Sequence, residues 1–426
     1  MGGASFYIET YGCWLNVGDS AIIAGLLRGA GFEEARSLSE ASVIIVNTCA
    51  VRAETERKML RRIRELSEGV RGSGRVLIVT GCLATYRPAL VSKAAPSAAI
   101  VTTDAIERVV EAVKTGGGFY AGRGVRGWLR LPSLRAEGRV VVPIAVGCLG
   151  SCAYCIEPLA RGRLRSYPVE EVVKRVEEAV KAGAREVFLV AQDAAAYGLD
   201  IGSSLPELLR RICEIEGDFM VRVGMMEPSV ASRIIDNLLE AYEDPKVYKY
   251  LHLPLQSGSD RVLKMMGRSY SAEEFLELVK LYRARFPEGF LATDVIVGLP
   301  GEGEEEFCET LKVLEAAEPD KVHIARFTPR PLTPAASMEQ PPEWVKKQRS
   351  RVASSFVDRL TLKRNEEWVG KTLKVLVTDV AGGYAKCRAS NYKLIVVSAE
   401  LEPWSWATVR VEAAHPHYLK ASPYWG

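Results

Sequence analysis

Cys148, Cys152 and Cys155 stand at x3 and x2 spacing in the stretch Gly147-Cys148-Leu149-Gly150-Ser151-Cys152-Ala153-Tyr154-Cys155. Three thiolates this close together make a metal site or a cluster site. A zinc ribbon needs two CxxC pairs, and the chain has no second pair. On a four-iron cluster, three cysteine ligands leave one iron open, and an open iron can bind and activate a substrate. A disulfide with a spare thiol and a three-cysteine zinc knot are the alternatives that the spacing leaves standing. Three more cysteines, Cys13, Cys49 and Cys82, lie about 35 residues apart, each just past a short apolar run: Phe6-Tyr7-Ile8, Val43 to Val46 and Val76 to Val79. Unrelated core cysteines would be the plain alternative there.

The elements that must position these residues follow from periodicity. Short apolar runs are buried parallel strands. In the first 118 residues they alternate with helical segments, Ser20 to Gly29 and Ala53 to Glu68, giving an open α/β sheet whose ligand sites lie outside the carboxyl ends of the strands. Cys13, Cys49 and Cys82 should therefore converge on one sheet edge as a second three-thiolate site. The run Val140 to Val146 leads into the Cys148 loop. Further strand candidates are Glu186 to Ala191, Met220 to Met225, Tyr250 to Leu255, Leu291 to Val297 and Lys321 to Phe327. Helices are expected near Leu205 to Glu216, Ser229 to Tyr242, Ala272 to Arg285 and Glu304 to Ala316. Six βα units fit a partial (βα)6 barrel with its site at the strand carboxyl ends. Gln192-Asp193, Glu227-Pro228, Gln256-Ser257-Gly258-Ser259 and Gly298-Leu299-Pro300-Gly301-Glu302 fall there, and a ligand explains such polar ends better than turn chemistry does. From Lys371 the period changes to two, and short strands suggest a five-stranded barrel of the OB type.

Composition sets the class. The chain has 426 residues, 48% hydrophobic and 26% charged, with net charge +3 and nine cysteines. No apolar run reaches 18 residues and no signal peptide is read at Met1 to Leu15, so a cytoplasmic, reduced setting is expected. Five Asn and four Gln among abundant Arg and Glu suit a thermophile. Basic runs occupy Arg52 to Arg75, the linker (Arg123, Arg126, Arg130, Arg135, Arg139), Arg161-Arg163-Arg165 beside the triad, and the helix Glu343 to Arg364. They read as solvated faces or as phosphate contacts. Lys386, Arg388, Tyr392 and Lys393 interleave basic and aromatic groups on the terminal barrel. His252 and His323 read as satisfied core histidines, and Cys213, Cys308 and Cys387 as packing residues.

The triad motif resembles the radical S-adenosylmethionine superfamily. Tyr11-Gly12-Cys13, Asn47-Thr48-Cys49-Ala50-Val51-Arg52 and Thr80-Gly81-Cys82 resemble the amino-terminal domain of the methylthiotransferase family, and the last sixty residues resemble its TRAM domain. The resemblance implies residues 1–118 as the amino-terminal [4Fe–4S] domain, 119–136 as linker, 137–342 as the radical core, 343–365 as a basic helix and 366–426 as the TRAM domain. It implies two [4Fe–4S] clusters, at Cys148, Cys152 and Cys155 (the catalytic set) and at Cys13, Cys49 and Cys82. It also implies S-adenosylmethionine held by Gln192 and Asp193 at its methionine end, by Arg222 and Gln256, and by backbone at Gly298 and Pro300 near the adenosine. Cys155-Ile156-Glu157-Pro158-Leu159-Ala160-Arg161-Gly162, Asp193 to Gly198 and Phe327 to Ala336 look most like the archaeal and eukaryotic branch, which acts on threonylcarbamoyladenosine 37 of tRNA.

One S-adenosylmethionine would methylate a sulfur at the amino-terminal cluster. Another would yield a 5'-deoxyadenosyl radical that takes hydrogen from C2 of the adenine, where the methylthio group is installed. The tRNA anticodon loop would meet Arg161, Arg163, Lys386, Arg388 and Tyr392. An electron donor and a possible sulfur donor complete the partners of a monomer with no membrane contact. Isopentenyladenosine or a ribosomal-protein aspartate as substrate, and a non-catalytic iron–sulfur RNA-binding protein, are the rival readings.

Overall fold

The computed structural model describes residues 4–122, 134 and 137–425. Linker arginines Arg123, Arg126, Arg130 and Arg135 lie outside the described residues.

The first unit is built on β1 (Ser5–Thr10), β2 (Glu33–Glu34), β3 (Val43–Thr48), β4 (Val76–Gly81), β5 (Ala99–Val101) and β6 (Gly118–Tyr120). Among the described residues they form one parallel sheet in the order β2-β1-β3-β4-β5-β6. Alternate residues of β3 enter opposite cores. Val43 and Ile45 meet Ile23 and Leu27 of the helix Trp14–Gly29, while Ile44 and Val46 meet Met59 and Ile63 of the helix Ala53–Val70. Burial on both faces is why this strand is apolar throughout. The first helix begins at Trp14 rather than at Ser20, with Cys13 as its N-cap. Because β1, β3 and β4 are neighbours, the three cysteine loops that follow them open side by side.

The second unit contains β7 (Arg139–Pro143), β8 (Ala145–Val146), β9 (Arg165–Ser166), β10 (Glu186–Val190), β11 (Met220–Val223), β12 (Tyr250–His252), β13 (Phe290–Val297) and β14 (Lys321–Arg326). Two parallel sheets, β11-β10-β7 and β12-β13-β14, abut between β11 and β12. This is the open (βα)6 barrel that the alternation of strand and helix requires, with β7 and β14 unpaired to each other among the described residues. The antiparallel pair β8–β9 frames the Cys148 loop. The single helix expected over Ser229 to Tyr242 is two, Pro228–Ala231 and Ile235–Ala241, and a further helix Asp260–Met265 follows β12.

The third unit is the helix Glu343–Glu366 followed by β15 (Thr372–Ala381), β16 (Tyr384–Ala389), β17 (Leu394–Val397), β18 (Trp406–Ala414) and β19 (Leu419–Pro423), closed as β15-β16-β17-β19-β18. Much of the helix's positive charge turns inward. Lys346, Arg349 and Arg364 are buried; Arg349 pairs with Glu302 at 3.2 Å and Arg364 with Asp320 at 3.4 Å. Asp320 also binds Lys393 at 2.7 Å and Arg283 at 2.8 Å. Burial alone would raise the Asp320 carboxyl, but Lys393, Arg364 and Arg283 outweigh it and hold its pKa at about 2. Among the described residues no helix is long and apolar enough to cross a membrane.

Candidate cluster and cofactor site

The sheet edge does gather Cys13, Cys49 and Cys82. A methyl group on Gly12 would stand 2.9 Å from Cys49 Cβ and 3.2 Å from its Sγ, and Gly12 has φ +112°, so only glycine lets these loops meet. Asn16, one turn into the first helix, ties the loops together. Its Nδ2 donates to Tyr11 O at 2.6 Å and Thr48 O at 2.9 Å. Its Oδ1 lies 3.7 Å from Cys13 Sγ and 3.9 Å from Cys82 Sγ.

Arg161 closes this cup from the radical core. It sits at the end of the short helix Glu157–Arg161, six positions after Cys155, with a wholly buried side chain. Nη1 meets Asp19 Oδ2 at 2.5 Å, Nη2 donates to Asn16 Oδ1 at 2.6 Å, and Nε points at Cys82 Sγ at 3.3 Å. This corrects the expectation of an arginine facing substrate: the anion it meets is Asp19 beside the thiols. Glu157, at the other end of the same helix, raises the thiols of Cys13, Cys49, Cys82 and Cys155 by its charge. One five-residue helix therefore stands between the two cysteine sets.

The triad loop is pinned on several sides. Gly147 N donates to Gln192 Oε1 at 2.9 Å, and Gln192 Nε2 reaches Glu157 Oε2 at 3.4 Å. Ala153 N donates to Met266 O at 2.9 Å and Ala335 N to Ala153 O at 2.8 Å. Gly150 N donates to Cys148 Sγ at 3.2 Å and Glu157 N to Cys155 Sγ at 3.4 Å, the kind of backbone donation that stabilises sulfur ligands of a cluster. Burial is the leading cause that pushes the thiols of Cys13, Cys49, Cys82, Cys148 and Cys155 above their ordinary range. Sulfurs gathered at two three-cysteine sites fit groups whose positive irons take thiolate ligands.

Around the triad, Asp193 accepts from Ala195 N at 3.1 Å and Glu227 N at 3.0 Å; burial pushes its carboxyl up to about 7. Gln256 is buried with φ +64°, a strained backbone for a non-glycine residue, and its Oε1 has no hydrogen-bond partner. A buried orphan acceptor just past a strand's carboxyl end fits a ligand with donors, such as the ammonium of S-adenosylmethionine.

Other expected residues fall elsewhere. Gly298 faces the basic helix, where a Cβ would collide with Lys346 Cγ, and Pro300 is buried in the loop that Glu302 organises by accepting from Gly298 N and Leu299 N. Neither offers open backbone: Lys346 stands against Gly298, and Pro300 is buried. Arg222 lies deeper in the barrel, donating to Tyr250 Oη at 2.9 Å between the rings of Phe188, Tyr250 and Tyr392. Tyr392 is no exposed base-stacking residue. It is buried at φ +72°, its ring 5.0 Å from Tyr248 and 4.8 Å from Tyr250, and plugs the amino-terminal end of the barrel. Arg388 stacks on it at 4.3 Å. Lys393 is buried against Asp320. Arg163 and Lys386 are exposed, the latter paired with Asp379 at 2.9 Å. Cys387 is buried as expected, whereas Cys308 is exposed. His323 is exposed and His252 bonds Asp294, so neither is a plain core histidine. Asn16, Asp19 and Glu157 had no signature as site residues except the i, i+3 step from Cys13 to Asn16 to Asp19 on one helix.

Residues 142–314 match the family model described as Radical SAM superfamily, and residues 5–103 match Uncharacterized protein family UPF0004. A Pyrococcus horikoshii protein named Probable threonylcarbamoyladenosine tRNA methylthiotransferase is 42% identical over 97% of this chain and 98% of its own. A Thermotoga petrophila protein named tRNA-2-methylthio-N(6)-dimethylallyladenosine synthase is 36% identical over 99% of this chain and 96% of its own. Among solved structures, the radical S-adenosylmethionine methyltransferase TsrM from Kitasatospora setae is similar in fold, with TM-score 0.59 and 16% identity, covering 79% of this chain and 74% of that one. Similarity that runs the full length, through both three-cysteine edges and the terminal barrel, decides the family: the chain belongs to the radical S-adenosylmethionine methylthiotransferases.

Proposed function

We propose that this protein inserts a methylthio group at C2 of N6-threonylcarbamoyladenosine 37 in tRNA, using two molecules of S-adenosylmethionine. The observation that carries the reading is the helix Glu157–Arg161, which leaves the triad and inserts its last side chain beside Cys82. Two three-cysteine sets so coupled suit a reaction that makes a radical at one and delivers sulfur from the other. Cys148, Cys152 and Cys155 would hold one [4Fe–4S] cluster, and Cys13, Cys49 and Cys82 a second. The clusters, when bound, supply the electron that cleaves S-adenosylmethionine and the iron that carries sulfur.

The chain's own residues do the rest. Gln192 fixes the triad loop, while Asp193 and Gln256 present acceptors to the methionine end of the cofactor. Arg161 balances Asp19 next to the sulfur site. Tyr392 and its neighbours seal the barrel end and keep water from the reacting carbon. Arg163 and Lys386 are exposed for phosphate, and the anticodon loop is a cheap place from which to unstack an adenine. Electron and sulfur donors act from outside, on a cytoplasmic monomer.

The higher identity to the Pyrococcus horikoshii protein named for threonylcarbamoyladenosine, 42% against 36% for the Thermotoga petrophila protein named for dimethylallyladenosine, supports this substrate over the isopentenyl one. Nucleoside mass spectrometry tests it: a strain lacking the gene should keep threonylcarbamoyladenosine and lose its 2-methylthio form, and both unchanged would refute the substrate. After anaerobic reconstitution, Cys148→Ala and Cys49→Ala should each remove about half of the iron and sulfide. A single cluster's worth of iron would refute the two-site reading.

A further inference from the structure

The inner wall of the barrel is layered. Phe188, Met220, Tyr250 and Ala292 line its amino-terminal end together with Tyr392. Two residues further along the same strand faces, the wall becomes polar with Arg222, His252 and Asp294, joined by His323 opposite Asp294 across β13–β14. These groups form one chain. Arg222 Nη2 donates to Tyr250 Oη at 2.9 Å, Tyr250 Oη lies 3.4 Å from His252 Nδ1, and His252 Nε2 lies 2.6 Å from Asp294 Oδ2. The His323 ring stands 5.7 Å from that of His252. His323 is exposed, so the layer reaches solvent at β14. Arg222 is 7% exposed, its Nε has no partner, and no carboxylate pairs with it among the described residues. Arg268 feels the charge of Cys152 while itself acting on Asp294, which places the layer one arginine away from the triad.

Ligand atoms of His252, Asp294 and His323 all lie within 4.8 Å of one another, the spacing of a metal site. A dication is disfavoured there: the Arg222 guanidinium shares the layer, and His252 and Asp294 already spend their facing atoms on each other. A neutral hydrocarbon is disfavoured too, because it would cover the Arg222 guanidinium and leave its Nε unpaired. What matches is a group carrying both an anion and donors.

We propose that this layer is the specificity site for the N6 substituent of the substrate adenine, a carbamoyl-linked amino acid with one carboxylate, one hydroxyl and amide N–H groups. His323 and Arg222 face the carboxylate, and Asp294, oriented by His252, accepts from the hydroxyl or an N–H. The proposal rests on the substrate reading above and deepens it.

The test is anaerobic equilibrium binding of the reconstituted holoenzyme to anticodon stem-loops that differ only at position 37: threonylcarbamoyladenosine, isopentenyladenosine or adenosine. Wild type should bind the first at least tenfold more tightly than the other two. His323→Leu, a change at an exposed position, should bring it within about threefold of adenosine without altering adenosine binding or iron content. Asp294→Asn should lose part of the same preference. If wild type prefers threonylcarbamoyladenosine and His323→Leu and Asp294→Asn both keep that preference, the proposal is overturned and the substrate reading stands. If wild type shows no such preference, the substrate reading falls and takes the proposal with it. One equivalent of zinc per chain that disappears in His323→Leu would assign the layer to a metal and also overturn the proposal.

Discussion

Replacing Arg161 by Met should uncouple the amino-terminal sheet from the radical core. The side chains of Arg161 and Asp19 are 0% and 1% exposed, so the ion pair is screened by protein alone. At an effective permittivity of 20, two unit charges 4 Å apart attract by about 4 kcal/mol. Removing one partner of a buried pair costs roughly 3–5 kcal/mol, because the other is left buried without compensation. Asp19 has nowhere else to turn: its Oδ1 already lacks a partner, and burial already raises its carboxyl. Methionine keeps the apolar stem, so the loss is mainly electrostatic. A loss of about 3 kcal/mol corresponds to roughly hundredfold faster amide exchange through local opening. Hydrogen-exchange mass spectrometry should show it in peptides from the helix Trp14–Gly29, and much less in the terminal barrel, which Arg161 does not touch. Asp19→Asn in the Arg161→Met background should restore much of the protection, since the double variant buries no lone charge. Exchange within threefold of wild type in the single variant, or no recovery in the double, would refute the reasoning.

Two further outcomes follow from the packing. Gly12→Ala puts a Cβ 2.9 Å from Cys49 Cβ at φ +112°; it should lower iron bound at Cys13, Cys49 and Cys82 while sparing the Cys148 triad, as iron analysis with and without Cys148→Ala would reveal. Asp320 has a folded pKa of about 2 against an ordinary 3.8, so its ion pairs contribute about 2 kcal/mol that is fully present above about pH 4 and lost as pH falls toward 2. The acid-induced change in tryptophan emission between pH 4 and pH 2 should flatten in Asp320→Asn, and an unchanged profile would count against the network.

The cysteines were legible because an open parallel sheet has one chemistry for its carboxyl edge. Short apolar runs ending in cysteine, with βα connections between, admit few arrangements other than convergence. The same rule found the open barrel and placed Gln192, Asp193 and Gln256 near its rim. It failed for Arg161, Arg222, Tyr392 and Lys393, and for one reason. A basic or aromatic residue in a polar stretch looks alike whether it waits for RNA or for a buried partner from a distant segment. Arg161 finds Asp19 at a separation of 142 residues, and Lys393 finds Asp320 at 73. Nothing within a local window carries those pairings. Histidines fail in the opposite direction: His323 alternates with apolar neighbours as a core residue would, but its strand borders the open side of the barrel.

These misplaced cations share a further logic. Several inward arginines and lysines are spent at seams between units: Arg161 between the amino-terminal sheet and the triad, Arg330 on Glu56, Arg349 on Glu302, and Lys393 with Arg364 on Asp320. Hydrophobic contact is non-directional and would let three units settle in several orientations, whereas a buried ion pair holds only in one. A reaction that needs two cysteine sets at a fixed separation gains from seams of this kind even where a hydrophobic seam would be as stable. Arg222 stands apart from this set. It is buried in a π cage with no carboxylate partner among the described residues, so a charged substrate group finds an unspent cation there and not at the seams.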